Sequence, residues 1–138
     1  MRRRLPDLSR FELQCIRRLW ERGEATIREV HRDLPNAPSY STVRKIFERL
    51  EEKGAVRRAR LAGKAWTYRP VVSAPDIIRK EIRRFIDSLF DGSAAPLVSY
   101  LADMDALTAG DLREIEEELS GRPRIERKVR KAREKEGS

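Results

Sequence analysis

At 138 residues the chain has room for one compact domain with a small appended module and nothing larger. Its 39% hydrophobic and 39% charged residues describe a soluble fold with a modest core. No apolar run approaches the ~20 residues that cross a bilayer, and the basic start MRRRLPDLSR leads into no apolar signal segment, so a cytoplasmic protein is expected. A lone cysteine, Cys15, excludes an internal disulfide and the thiolate clusters that hold soft metals.

The net charge of +8 is unevenly spread. Residues 1–72 carry 18 Lys and Arg against 9 Asp and Glu, residues 73–120 carry 5 against 11, and residues 121–138 carry 8 against 3. A basic front and a basic end around an acidic middle suggest a polyanion-binding module joined to one with another task. A scatter of solvated charges is the plainer alternative.

In chain order, Ser9 and Glu12 have the spacing of a capping box and open a first helix. Leu13, Ile16, Leu19 and Trp20 then recur at helical spacing as far as Gly23. Thr26 and Glu29 repeat the box and open a short second helix with Ile27, Val30 and Leu34 on one face, ending before Pro35. After the breaker Pro35-Asn36-Ala37-Pro38, a third helix runs from about Ser39 to Gly54 with Val43, Ile46, Phe47 and Leu50 inward. Residues 55–61 and 64–70, joined at Ala62-Gly63, then predict a β-hairpin. Three short helices followed by a hairpin with a basic tip outline a winged helix-turn-helix.

A fourth helix is expected after Pro75, with an apolar stripe of Ile78, Ile82, Phe85, Ile86 and Leu89. Leu97, Val98 and Leu101 predict a fifth helix, and Leu112, Ile115 and Leu119 a sixth that begins after Thr108. The fold expected is mainly α with a small β-hairpin, in three parts. Residues 1–72 form the winged-helix domain, 73–120 a helical dimerisation domain, and 121–138 a basic, disordered tail.

The third helix is the leading candidate for function, because a basic helix placed after a helix and a turn fits the major groove. Ser41 and Thr42 can donate to phosphates or base edges, Arg44 can fork onto a guanine, and Lys45 and Arg49 can neutralise phosphates. Ion pairs to Glu48, Glu51 and Glu52 are the competing use of the same cations. Arg57, Arg58, Arg60 and Lys64 surround the hairpin turn and suit a DNA backbone or minor groove, or else guard an edge strand. Trp66 and Tyr68 are assigned to the inner, core-facing side of the hairpin rather than to base stacking. The stripe on the fourth helix, with Leu97 and Leu101, exceeds what 48 residues bury by themselves and is expected to form a homodimer interface.

Catalysis finds no support. His31, the only histidine, reads as a surface residue, and neither a nucleophile elbow nor a phosphate loop occurs. Asp103, Asp105 and Asp111 sit at helix ends, where capping carboxylates are ordinary, so no metal or cofactor is assigned. Cys15 lies beside Ile16 and reads as a buried, inert thiol.

Taken together, Leu19-Trp20, Tyr40-Ser41-Thr42-Val43, Arg49-Leu50-Glu51-Glu52-Lys53-Gly54, Tyr68-Arg69-Pro70 and Leu89-Phe90-Asp91-Gly92-Ser93 resemble the penicillinase-repressor family, also called BlaI/MecI/CopY. The resemblance covers roughly residues 8–120. It implies a winged-helix DNA-binding domain, a helical dimerisation domain interlocked between protomers, and repression by occupying inverted-repeat operators. In β-lactam-responsive members a membrane sensor protease triggers cleavage in the dimerisation half. The corresponding segment here, Pro96-Leu97-Val98-Ser99-Tyr100-Leu101, lacks their Asn-Phe pair, so that mode of induction is not carried over and the inducer stays open. The C-terminal cysteine cluster of copper-responsive members is also missing. The expected function is therefore a homodimeric repressor on operator DNA. A nucleoid-type protein that binds DNA without sequence preference is the alternative, and a winged helix used as a protein-interaction scaffold is a third reading.

Overall fold

The computed structural model describes residues 4–121. Its elements in chain order are α1 (Arg10–Arg22), β1 (Ala25–Thr26), α2 (Ile27–Asp33), α3 (Tyr40–Glu52), β2 (Val56–Ala62), β3 (Ala65–Pro70), α4 (Ala74–Leu89), α5 (Ala95–Asp103) and α6 (Ala109–Gly121). By internal packing the chain divides into two compact units at Arg83/Arg84, whereas the sequence reading drew its boundary after residue 72. The difference has a physical cause: Ile77, in the second turn of α4, is 1% exposed and belongs to the core of the first unit. The tail expectation for residues beyond 121 lies outside the described residues.

Both capping boxes form. Ser9 Oγ accepts from Glu12 N, and Glu12 Oε1 accepts from Ser9 N at 2.7 Å. Thr26 and Glu29 make the same reciprocal pair at the head of α2. These bonds satisfy amides that a helix start leaves without partners. The apolar sides of α1, α2 and α3 meet in one core that holds Cys15, Ile16, Leu19, Val30, Val43, Ile46, Phe47 and Leu50. Burying each large side chain of this set contributes about 1.5–3 kcal/mol.

The hairpin is extended by a third strand that sequence patterning did not indicate. Ala25 and Thr26 pair antiparallel with Tyr68 and Thr67, which gives the sheet order β1-β3-β2. A two-residue strand carries no alternation from which to read it. Tyr68 packs edge-on against Phe47, ring centroids 5.0 Å apart, and closes the sheet over α3; its burial raises the phenol pKa. Trp20 Nε1 donates to Val72 O at 3.0 Å, and Lys80 Nζ donates to Leu5 O at 2.7 Å and pairs with Asp7. These bonds tie the N-terminal segment, α1 and the start of α4 into the first unit.

Glu12 also binds the distant Lys53 Nζ at 2.7 Å, with its own side chain almost wholly enclosed. Enclosure alone raises a carboxyl pKa, but the ammonium and the Ser9 amide outweigh it and hold Glu12 below the usual carboxylate range. A group with a depressed folded-state pKa contributes stability that is complete above its unfolded pKa and lost as pH falls through the folded one. Lys53→Met is therefore expected to cost about 2 kcal/mol at pH 7. Denaturant melts should show the gap to the parent chain narrowing below the ordinary carboxylate range. Cys15 is 1% exposed and its thiol is pushed up to about 12 by burial first and the Glu12 charge second. Ellman's reagent should leave it untouched in the folded chain and titrate one thiol after unfolding.

Among the described residues of the second unit, α5 and α6 contain no buried residue. Thr108 caps α6 reciprocally with Asp111, whose carboxyl is lowered by that backbone bond. No helix among the described residues is long and apolar enough to cross a membrane.

Candidate nucleic-acid interface

The turn between α2 and α3 is fixed by side chains as well as by its prolines. His31 Nε2 donates to Pro38 O at 2.9 Å, and its ring meets Tyr40 edge-on at 5.9 Å. The Arg28 guanidinium lies 5.4 Å from the centroid of the Tyr40 ring. His31 is thus a half-buried brace rather than the surface residue expected. Arg28 has no signal in the sequence, and Tyr40 enters there only within the string Tyr40-Ser41-Thr42-Val43; its position directly after the Ser39 cap of α3 is the signal that points to a role in the turn.

From this turn α3 projects one apolar and one polar side. Val43, Ile46, Phe47 and Leu50 are buried, while Ser41, Thr42, Arg44, Lys45 and Arg49 are all exposed, as the 3.6-residue repeat requires. Ser39 Oγ accepts from Thr42 N and lies 3.1 Å from Ser41 Oγ and 2.9 Å from Thr42 Oγ1, so the hydroxyls gather at the positive end of the helix. Among the described residues, Arg44, Lys45 and Arg49 enter no ion pair. The competing use of these cations as partners for Glu48, Glu51 and Glu52 is therefore not realised. Glu51 turns instead to the wing, where it pairs with Arg58 at 3.3 Å.

The four wing cations divide into two kinds. Arg57 and Lys64 are exposed and enter no ion pair among the described residues. Arg58 is held by Glu51, and Arg60 is bonded to Glu24, whose carboxyl it holds below the ordinary range. The tight turn falls at Gly63-Lys64, one residue later than expected, with Gly63 in the left-handed region at φ 67°. Register explains the rest. Arg58 faces Tyr68 and Leu61 faces Trp66, so β2 advances three residues where β3 advances two. This bulge is sealed by the buried Thr67 hydroxyl, which accepts from Arg60 N at 3.2 Å and donates to Arg60 O at 3.0 Å. Trp66 consequently does not take the core position expected of it: it is 40% exposed, and only Tyr68 is buried. The indole lies opposite Leu61 and under the Arg58 guanidinium, 5.9 Å from its ring centroid, rather than on the core.

Of the residues read from sequence as an interface between copies, Ile78, Ile82, Phe85 and Leu89 are all about half exposed or more. Leu97 and Leu101 are half-buried. Ile86 departs from that group: at 7% exposure it is buried within the single chain and has little surface left to give a partner.

Residues 8–121 match the model of a family described as penicillinase repressor. The penicillinase repressor of Bacillus licheniformis is 24% identical over 115 residues, which cover 82% of this chain and 89% of the relative. The solution structure of the DNA-binding domain of the repressor BlaI aligns at 25% identity with a TM-score of 0.47, over 54% of this chain and 93% of that domain. A MarR family protein from Bacillus stearothermophilus aligns at 20% identity with a TM-score of 0.45, over 82% of this chain and 76% of that one. With nearly all the described residues inside the match of the family model, the chain belongs to the penicillinase repressor family.

Proposed function

We propose that this protein is a transcriptional repressor that binds an inverted-repeat operator as a homodimer, with α3 in the major groove and the wing along the flanking backbone. The observation that carries this reading is the exposed face of α3, where Arg44, Lys45 and Arg49 stand without acidic partners among the described residues, opposite a buried apolar side. An unpaired guanidinium on a helix held by its own core is pre-organised for the N7 and O6 of a guanine, and the lysine for a phosphate. Membership of a repressor family supports the same conclusion.

The exposed stripe of Ile78, Ile82, Phe85 and Leu89 supports pairing of two chains. Water contact along so long an apolar row is unfavourable, and a two-fold axis through it presents two reading helices to half-sites about 10 bp apart or a multiple of that. Competition between promoter fragments and bulk DNA tests the proposal. Preference for particular fragments by roughly 10³ or more, with affinity falling steeply as salt rises, is the expected result. Equal affinity for all fragments identifies a nucleoid-type binder instead. No salt-dependent binding identifies a protein-interaction scaffold.

A further inference from the structure

The wing carries an exposed apolar pair that the cationic contacts leave unused. Leu61 is 58% exposed and Trp66 is 40% exposed, and the two face each other across the strands. Simple alternation from Arg58 would put Arg60 and Ala62 on this side of β2. The bulge replaces them with Leu61 and sends Arg60 to Glu24. Trp66 shares its side of β3 with Tyr68, which packs on Phe47 of α3. The indole therefore stands on the side of the wing that faces α3, about 7 Å further out along the strand than Tyr68. Arg58, itself tied to Glu51 of α3, lies 5.9 Å from the centroid of the indole ring, which limits the rotamers the indole can take.

We infer that Trp66, with Leu61 beside it, packs against the deoxyribose wall of the groove next to the one that α3 enters, and so fixes how deeply the wing seats. The inference rests on the function proposed above. DNA is the occupant that fits, because the pair lies on the side of the hairpin that faces the basic helix α3, with the Arg58 guanidinium against the indole and Lys64, which enters no ion pair among the described residues, at the turn of the same hairpin. An apolar protein partner would meet the neighbouring cations at a cost. A polyanion, whose sugars offer apolar surface between its phosphates, meets both features at once.

The test uses the full-length chain and the operator fragment recovered by competition. In a Trp20→Phe chain, Trp66 is the sole tryptophan, and its emission is expected to shift to the blue on addition of operator. Trp66→Ala should weaken binding by roughly tenfold or more, from apolar burial lost in each protomer, while the slope of log affinity against log salt stays that of the parent. Trp66→Phe should recover most of the loss, and Trp66→Lys should not. Parental affinity in Trp66→Ala, or emission that does not move, overturns the inference while leaving the proposed function standing. A salt slope reduced by one or more in Trp66→Ala also overturns it, because the loss then belongs to phosphate contacts. Failure of the parent chain to bind any DNA overturns both. Since Trp66 lies outside the core cluster, each Trp66 variant should unfold close to the temperature of the chain it is made in.

Discussion

Replacing Arg44 and Lys45 together with alanine is expected to weaken operator binding by about a hundredfold or more and to leave thermal stability nearly unchanged. Neither residue contributes to the core, and neither enters an ion pair among the described residues, so truncation removes no core packing and no salt bridge there. A bidentate arginine–guanine contact discriminates by about 1–3 kcal/mol, and a homodimer makes it twice. Lysine acts differently. Each phosphate neutralised adds about 0.9 to the salt slope, so the double variant should also lower that slope by about 2 per dimer. Filter-binding titrations across a salt series separate the two roles. An Arg44→Ala single variant with parental discrimination between operator and bulk DNA would show that Arg44 reads no base.

Phe85→Asp combined with Leu89→Asp is expected to convert a dimer into a folded monomer. Both side chains are about half exposed or more in the single chain, and the intrachain aromatic contact that Phe85→Asp removes is the edge-on one with Phe90, so the chain should stay folded. At the proposed interface two carboxylates per protomer would lie desolvated and opposed, which costs several kcal/mol. Sedimentation equilibrium reads the outcome directly. Operator affinity should fall by about 10²–10⁴, because the second half-site is then no longer bound at a high effective concentration. A variant that stays dimeric places the interface elsewhere. The buried Ile86 supplies the contrast: Ile86→Asp should destabilise the chain itself.

The residues most legible in sequence were those governed by local chemistry. The capping pairs Ser9/Glu12 and Thr26/Glu29 formed as their spacing required, because such boxes depend on three residues of backbone and little else. The inward face of α3 followed from its period alone. What escaped was set by long-range pairing. Strand β1 exists only because β3 offers a free edge to Ala25 and Thr26. Ile77 is in the core and Ile78 is exposed, a choice between neighbours that depends on where the N-terminal segment, bonded to Lys80, lies against α4. The wing failed at the bulge. Strict alternation gives no hint that three residues of β2 oppose two of β3, and on that slip depends whether Trp66 and Leu61 face α3 alone or with Arg60. Likewise, counting cations along the hairpin cannot reveal that Arg58 and Arg60 are tied to Glu51 and Glu24 while Arg57 and Lys64 are not.

The most direct test of the central claim is selection of fragmented host DNA by the purified full-length chain at physiological salt, followed by sequencing of what is retained. A dimer that reads DNA through α3 predicts a few enriched promoter fragments that share an inverted repeat, its half-sites about 10 bp apart or a multiple of that. Retention spread evenly over the genome would contradict it.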